Sequence, residues 1–134
     1  MFLLQRLRLT SAAIVICVSS NGGATAQTAS TENGQAVFRV CRACHLVGDN
    51  ARNAVGPQLN SIVGRRAGSV DGYAYSPNLK ELGAGGLIWT EQNLDRYIEN
   101  PKSVVPDGKM AFPGVKDFAE RTDLIGYLKS LAKP

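Results

Sequence analysis

Cys41-Arg42-Ala43-Cys44-His45 places two thiols three positions apart, with an imidazole directly after the second. This is the spacing for covalent attachment of a c-type haem: two sulfurs for the porphyrin edge and one nitrogen for the iron. His45 is the only histidine, and Met110 is the only methionine besides the initiator. An iron bound here therefore has few other soft ligands. Two other chemistries use a Cys-x-x-Cys pair. A structural zinc site needs four ligands, and after His45 the chain offers no further histidine or cysteine. A thioredoxin-like redox pair needs a βαβ setting, which is not readable here.

The ends and the composition narrow the class. Residues 1–26 read as a secretory signal, with Arg6 and Arg8 as the charged region, Leu9 to Val18 as the apolar run and Ala24-Thr25-Ala26 as a small-residue cleavage site. The run is shorter than the roughly 20 residues that span a bilayer, so an uncleaved anchor is the weaker alternative. Ile14-Val15-Ile16 before Cys17 is too bulky for a lipoprotein site. Cleavage leaves residues 27–134 as one domain, small enough to gain from a cofactor that supplies apolar surface. Export also puts the thiols where a close pair would oxidise to a disulfide unless thioether formation claimed them. The formal net charge of +4 falls to +2 when Arg6 and Arg8 leave, so bulk charge gives nucleic-acid binding no support.

Three helical segments must position the motif. The first is expected from Thr31 to His45, with Val37, Phe38 and Cys41 on one side and Cys41, Cys44 and His45 sharing a face in its last turn. From Leu46 to Leu87 the frequent glycines and prolines predict mostly loop, with a short helical turn at Asn60 to Val63. Wrapping a planar cofactor is a function for so long a loop. Thr90 can cap a helix running through Asn100, with Leu94, Tyr97 and Ile98 as its buried stripe and Pro101 as its end; Tyr97 then faces the haem. Asp117, with Glu120 three residues on, starts a last helix whose stripe is Phe118, Leu124, Ile125, Leu128 and Leu131, with Lys129 and Lys133 at the end that favours cations. Its partner is expected to be the first helix, with Gly34 allowing close approach and Phe38 giving contact area.

Residues 31 to 132 resemble the class I cytochromes c, of the bacterial kind similar to the mitochondrial protein. The resemblance rests on CRACH, Gly56-Pro57 with Leu59, Gly64-Arg65, Gly72-Tyr73-Ala74-Tyr75, Ile88-Trp89, the run from Tyr97 to Lys102, Lys109-Met110-Ala111-Phe112 and the run from Arg121 to Leu128, in that order. It implies an all-α fold of three main helices and long loops wrapped around one covalently attached haem c. It further implies thioethers at Cys41 and Cys44, His45 and Met110 as axial iron ligands, and the Pro57 carbonyl as acceptor for the other ring nitrogen of His45. Tyr75 and Trp89 would donate to a buried propionate, with Arg65 offsetting its charge. Taken alone, Met110 would be a core gap-filler, and Tyr75, Trp89 and Tyr97 ordinary core aromatics. Two residues depart from the family pattern: Gly108 stands where relatives often carry threonine, and Leu79 where many have asparagine.

The function implied is a monomeric periplasmic one-electron carrier, not an enzyme. It would run from a cytochrome bc-type complex or a periplasmic dehydrogenase to a terminal oxidase or photosynthetic reaction centre. Docking is expected on Lys102, Lys109 and Lys116, with Arg42. The alternative is a peroxidase-like haem enzyme or gas sensor in which Met110 dissociates, favoured by the mobility that Gly108 lends the loop.

Overall fold

The computed structural model describes residues 28–132. The expected leader, Cys17 and Lys133 lie outside the described residues. The helices are α1 (Thr31–Val37), α2 (Pro77–Ala84), α3 (Glu91–Glu99), α4 (Pro101–Val104) and α5 (Phe118–Ser130), with a 3₁₀ turn at Phe38–Val40 after α1. Among the described residues no strand forms beyond one isolated antiparallel bridge between Arg66 and Ile88.

Local capping chemistry explains most of the helix starts. The Ser30 hydroxyl accepts from the Asn33 amide, Thr90 from Asn93 and Asp117 from Glu120, each satisfying an amide that a helix start leaves without a partner. The expected helix from Thr31 to His45 ends earlier. It tightens into the 3₁₀ turn, and Cys41 to Cys44 follow as hydrogen-bonded turns, with the His45 amide donating to the Cys41 carbonyl at 2.9 Å. Asn60 to Val63 forms turns rather than helix.

Two helices went unforeseen. Ser76 caps α2 by accepting from the Leu79 amide, with Pro77 in the first turn where its missing N–H costs nothing. Pro101, expected only to end α3, also starts the short α4. A further pairing ties the long loop together. The Ala67 amide donates to Leu87, Trp89 to Arg65, and Gly64 to Trp89, at 2.8 to 2.9 Å.

The core sits where α1 crosses α5 and where α3 packs on α5 and α4. Phe38, Leu94, Ile98, Leu124, Ile125 and Leu128 are buried, with Val105, Val115, Ile62 and Trp89 closing the loop side. A side chain of this size contributes about 2 kcal/mol when fully buried. Phe38 meets Tyr127 with ring centroids 5.5 Å apart. Phe118, expected in the buried stripe of α5, is instead 64% exposed. Arg121 takes the buried place at i−3 from Leu124, and the Phe118 ring lies over its guanidinium from outside, 5.7 Å from centroid to carbon.

Gly34 sets the crossing. A Cβ there would stand 2.0 Å from the Asp123 carbonyl oxygen of α5, and the Asp123 carboxylate accepts the Ser30 amide at 2.7 Å just before α1. Gly34→Ala should therefore push the helices apart and cost about 3 kcal/mol, at the upper end of overpacking. Denaturant unfolding followed by Trp89 fluorescence would show this as a lowered midpoint, and an unchanged midpoint would mean that the crossing is looser than described.

Candidate functional site

The turn from Cys41 to His45 hangs on the first helical segment and is fixed from the opposite side by the loop at Gly56-Pro57. The Gly56 amide donates to the Cys44 carbonyl at 2.8 Å. Gly56 is buried flat against the imidazole, where a Cβ would stand 2.4 Å from Cε1 of His45. Only glycine fits between this backbone and the ring. His45 Nδ1 meets the Pro57 carbonyl oxygen at 2.7 Å. Because a carbonyl can only accept, Nδ1 carries the proton and Nε2 keeps its lone pair.

Electrostatics favour the neutral ring. Burial lowers the His45 pKa, the Pro57 carbonyl opposes this, and the charge of Arg65 adds to the lowering. Cys41 differs from an attacking cysteine of a redox dithiol. Burial, reinforced by Cys44, pushes the Cys41 thiol up to about 11, whereas an attacking cysteine needs a depressed value. Among the described residues no three His, Cys, Asp or Glu side chains gather where they could hold a metal ion. The zinc alternative therefore has no ligand cluster to build on.

A second group lies across the paired segments 64–67 and 87–89. Trp89 is buried, its amide donates to the Arg65 carbonyl, and its ring lies 4.8 Å from that of Tyr97 on α3. Burial pushes the Tyr97 hydroxyl up to about 12, so it stays protonated. Arg65 donates to the carbonyls of Asn60 and Gln58 at 3.0 and 3.1 Å and lines a cavity of about 510 Å³ with Arg52, Asn53 and Ser69. The Tyr75 hydroxyl accepts from the Val70 amide, which leaves its own proton free to donate. Burial raises the Tyr75 pKa, and the Val70 contact and the charge of Arg65 oppose this. Arg65 and Trp89 are thus joined through their backbones and Trp89 and Tyr97 through their rings, while Tyr75 is tied to Val70.

Met110 is half-buried in the segment between α4 and α5, away in sequence from both groups. The three lysines around that segment are exposed, and each ammonium is tied to a backbone carbonyl: Lys102 to Gly108 at 2.6 Å, Lys109 to Ala74 at 2.6 Å and Lys116 to Glu99 at 2.5 Å. Lys109 therefore fastens the Met110 loop to the segment that carries Tyr75.

Comparison with known proteins follows the same line. No family model matches the chain. Cytochrome c-550 of Ancylobacter novellus is 47% identical over 97 residues, covering 72% of this chain and 91% of that protein. Cytochrome c2 of Blastochloris viridis is 41% identical over 116 residues, 87% of each chain. The chain belongs to the class I bacterial cytochromes c. The solved structure of cytochrome c2 from Rhodospirillum centenum superposes with a TM-score of 0.73 at 34% identity, covering 78% of this chain and 99% of that one, so this cytochrome has the all-α cytochrome c fold. Its cofactor is one covalently attached haem c, and its work is electron transport. The donor set fits that group: two thiols at the required spacing beside an imidazole whose second nitrogen is already engaged.

Sequence reasoning quoted Gly56 only as part of a motif and gave Arg121 and Asp123 no place in the core. The signal for Arg121 was present, since 121, 124, 125 and 128 share one helix face. Gly56→Ala should turn the imidazole and lengthen its bond to Pro57. With its ring proton less well accepted, the imidazole would be a poorer donor in the role of iron ligand that the family resemblance implies for it. The haem potential should then rise, on the order of 60 mV for a tenfold change in a one-electron equilibrium. Potentiometric titration checks this, and an unchanged potential would mean that the contact does not tune the iron.

Proposed function

We propose that this cytochrome carries one electron at a time between larger redox proteins, with its haem bonded through Cys41 and Cys44 and its iron held between His45 Nε2 and the Met110 thioether. The contact that supports this most is the 2.7 Å approach of His45 Nδ1 to the Pro57 carbonyl over Gly56, because it commits one ring nitrogen and leaves the other as the sole basic atom. Haem supplies the one-electron couple. Both proposed axial ligands are neutral, and the weak thioether favours the ferrous state, giving a high potential. With both axial positions filled the iron passes electrons and does not readily bind small ligands. Tyr75 and Trp89 serve as donors to a propionate, Arg65 offsets its charge, and Tyr97 lies against the porphyrin.

The reading extends to place and partners. Residues 1–26 would direct export to the periplasm, and no described helix is long and apolar enough to cross a membrane. A cytochrome bc-type complex or periplasmic dehydrogenase is the donor in this proposal, and a terminal oxidase or photosynthetic reaction centre the acceptor; the carrier is a monomer and binds no nucleic acid. Lys102, Lys109 and Lys116 suit docking because each spends one ammonium hydrogen on a backbone carbonyl and keeps two for a carboxylate partner. The tether also lowers the side-chain entropy lost on association.

Met110→Ala tests the proposal against the enzyme and gas-sensor alternative. The variant should keep its haem through denaturation, bind carbon monoxide in the ferrous form and show a lower potential, while the wild type resists carbon monoxide at neutral pH. A wild type that binds carbon monoxide as readily as the variant would remove Met110 from the iron and favour the alternative.

A further inference from the structure

The Met110 loop leaves and returns to the same corner of the fold, where α3 ends and α4 begins. On the entry side the Val105 amide donates to the Pro101 carbonyl, the Gly108 amide to Val105, and exposed Lys102 to Gly108. These contacts span only a few residues of chain. On the exit side the loop lies directly on α3. A Cβ on Gly114 would stand 2.0 Å from the Glu99 carbonyl oxygen, and the Val115 amide donates to Ile98 at 2.9 Å.

One buried side chain locks this exit. Arg121, in the first turn of α5, is only 4% exposed despite its charge. Its Nε donates to Asp95 of α3 at 2.6 Å, and its Nη1 donates to the carbonyls of Val115 at 3.1 Å and Lys116 at 2.9 Å. The Glu99 carboxylate stands 3.8 Å from Nη1. The hydrogen bond to Asp95 raises the Arg121 pKa, so the group stays charged.

The packing of α5 on α3 does not need a cation at this point. An apolar side chain of similar length would continue the stripe of Leu124, Ile125 and Leu128, and a buried ion pair often contributes little net stability after desolvation. An apolar side chain cannot hold two loop carbonyls against α3. Arg121 can, because its planar guanidinium presents several N–H groups at fixed angles.

We propose that Arg121 is a positioning residue for Met110: anchored on Asp95, its guanidinium grips the carbonyls of Val115 and Lys116 and thereby sets how often the loop lets the thioether leave the iron. The proposal rests on Met110 being the axial ligand. Loosening the exit raises the open fraction, and the apparent affinity of any added ligand rises in proportion.

Imidazole titration of the ferric, haem-loaded protein reads that fraction directly, with denaturant unfolding of each variant measured alongside. Arg121→Lys can still reach Asp95 but cannot also span both carbonyls, and should bind imidazole about fivefold more tightly than wild type; Arg121→Leu should bind it about tenfold more tightly or more. Leu124→Ala removes packing from the same helix and lowers global stability, yet it should change imidazole affinity less than about twofold. Should Arg121→Leu fail to fold, the lysine variant decides. Affinities of the Arg121 variants equal to wild type, or an equal gain in Leu124→Ala, would overturn the positioning role. A wild type that binds imidazole as tightly as Met110→Ala would instead defeat the ligand assignment itself, an outcome distinguishable because it appears without any change at Arg121.

Discussion

A histidine held by a carbonyl at Nδ1 has one free nitrogen and one ring orientation. His45 meets that condition through the Pro57 carbonyl, and it does so in a turn too short to hold the ring alone. The rest of this turn's surroundings follows from this need. Gly56 must lack a side chain so that its backbone can lie against the ring, and its amide must bond Cys44 so that the loop does not drift. The ring must be neutral to bind metal, and burial lowers its pKa in that direction. A free imidazole on a solvated turn would satisfy none of these conditions.

Charge is used sparingly in the core, and both buried charges tie α5 to segments distant in the chain. Asp123 accepts the amide of Ser30 across 93 positions, fixing the start of α1 on α5. Arg121 joins α5 to α3 and to the exit of the Met110 loop. Neither contact is required by helix formation; an orphaned amide at Ser30 would cost about 1–3 kcal/mol, and a buried Arg121 without its carboxylate several kcal/mol. Apolar packing brings the helices together without specifying the depth at which loops rest on them. Hydrogen-bonded charge specifies that depth, and a haem crevice depends on where its loops stop.

How much of this was legible in the chain depends on how local the signal is. CRACH is legible because covalent attachment is written in residue type and spacing alone. The starts of α3 and α5 are legible because Thr90 and Asp117 act on amides three residues away. The end of α1 is not, since tightening into a 3₁₀ turn at Phe38 reflects packing on Tyr127 and α5. α2 carries a local sign in Ser76-Pro77, but the surrounding glycines point to loop; one of them, Gly83, is in fact inside the helix, where a Cβ would stand 2.0 Å from the Ala67 carbonyl oxygen. The pairing of 64–67 with 87–89, which sets Arg65 beside Trp89, joins positions 20 or more residues apart and has no sequence period. Burial of Arg121 is a tertiary fact of the same kind, and a charged residue on an apolar stripe is the trace it leaves.

The most direct measurement is NMR of the haem-loaded ferrous protein, labelled with nitrogen-15 in the ring of its single histidine and with carbon-13 at the proline carbonyls. A slowly exchanging proton on Nδ1, with through-bond coupling to the Pro57 carbonyl carbon and an Nε2 shift typical of metal coordination, is the predicted result. A proton that exchanges freely with solvent, or one found on Nε2 with Nδ1 on the iron, would contradict the account at its base.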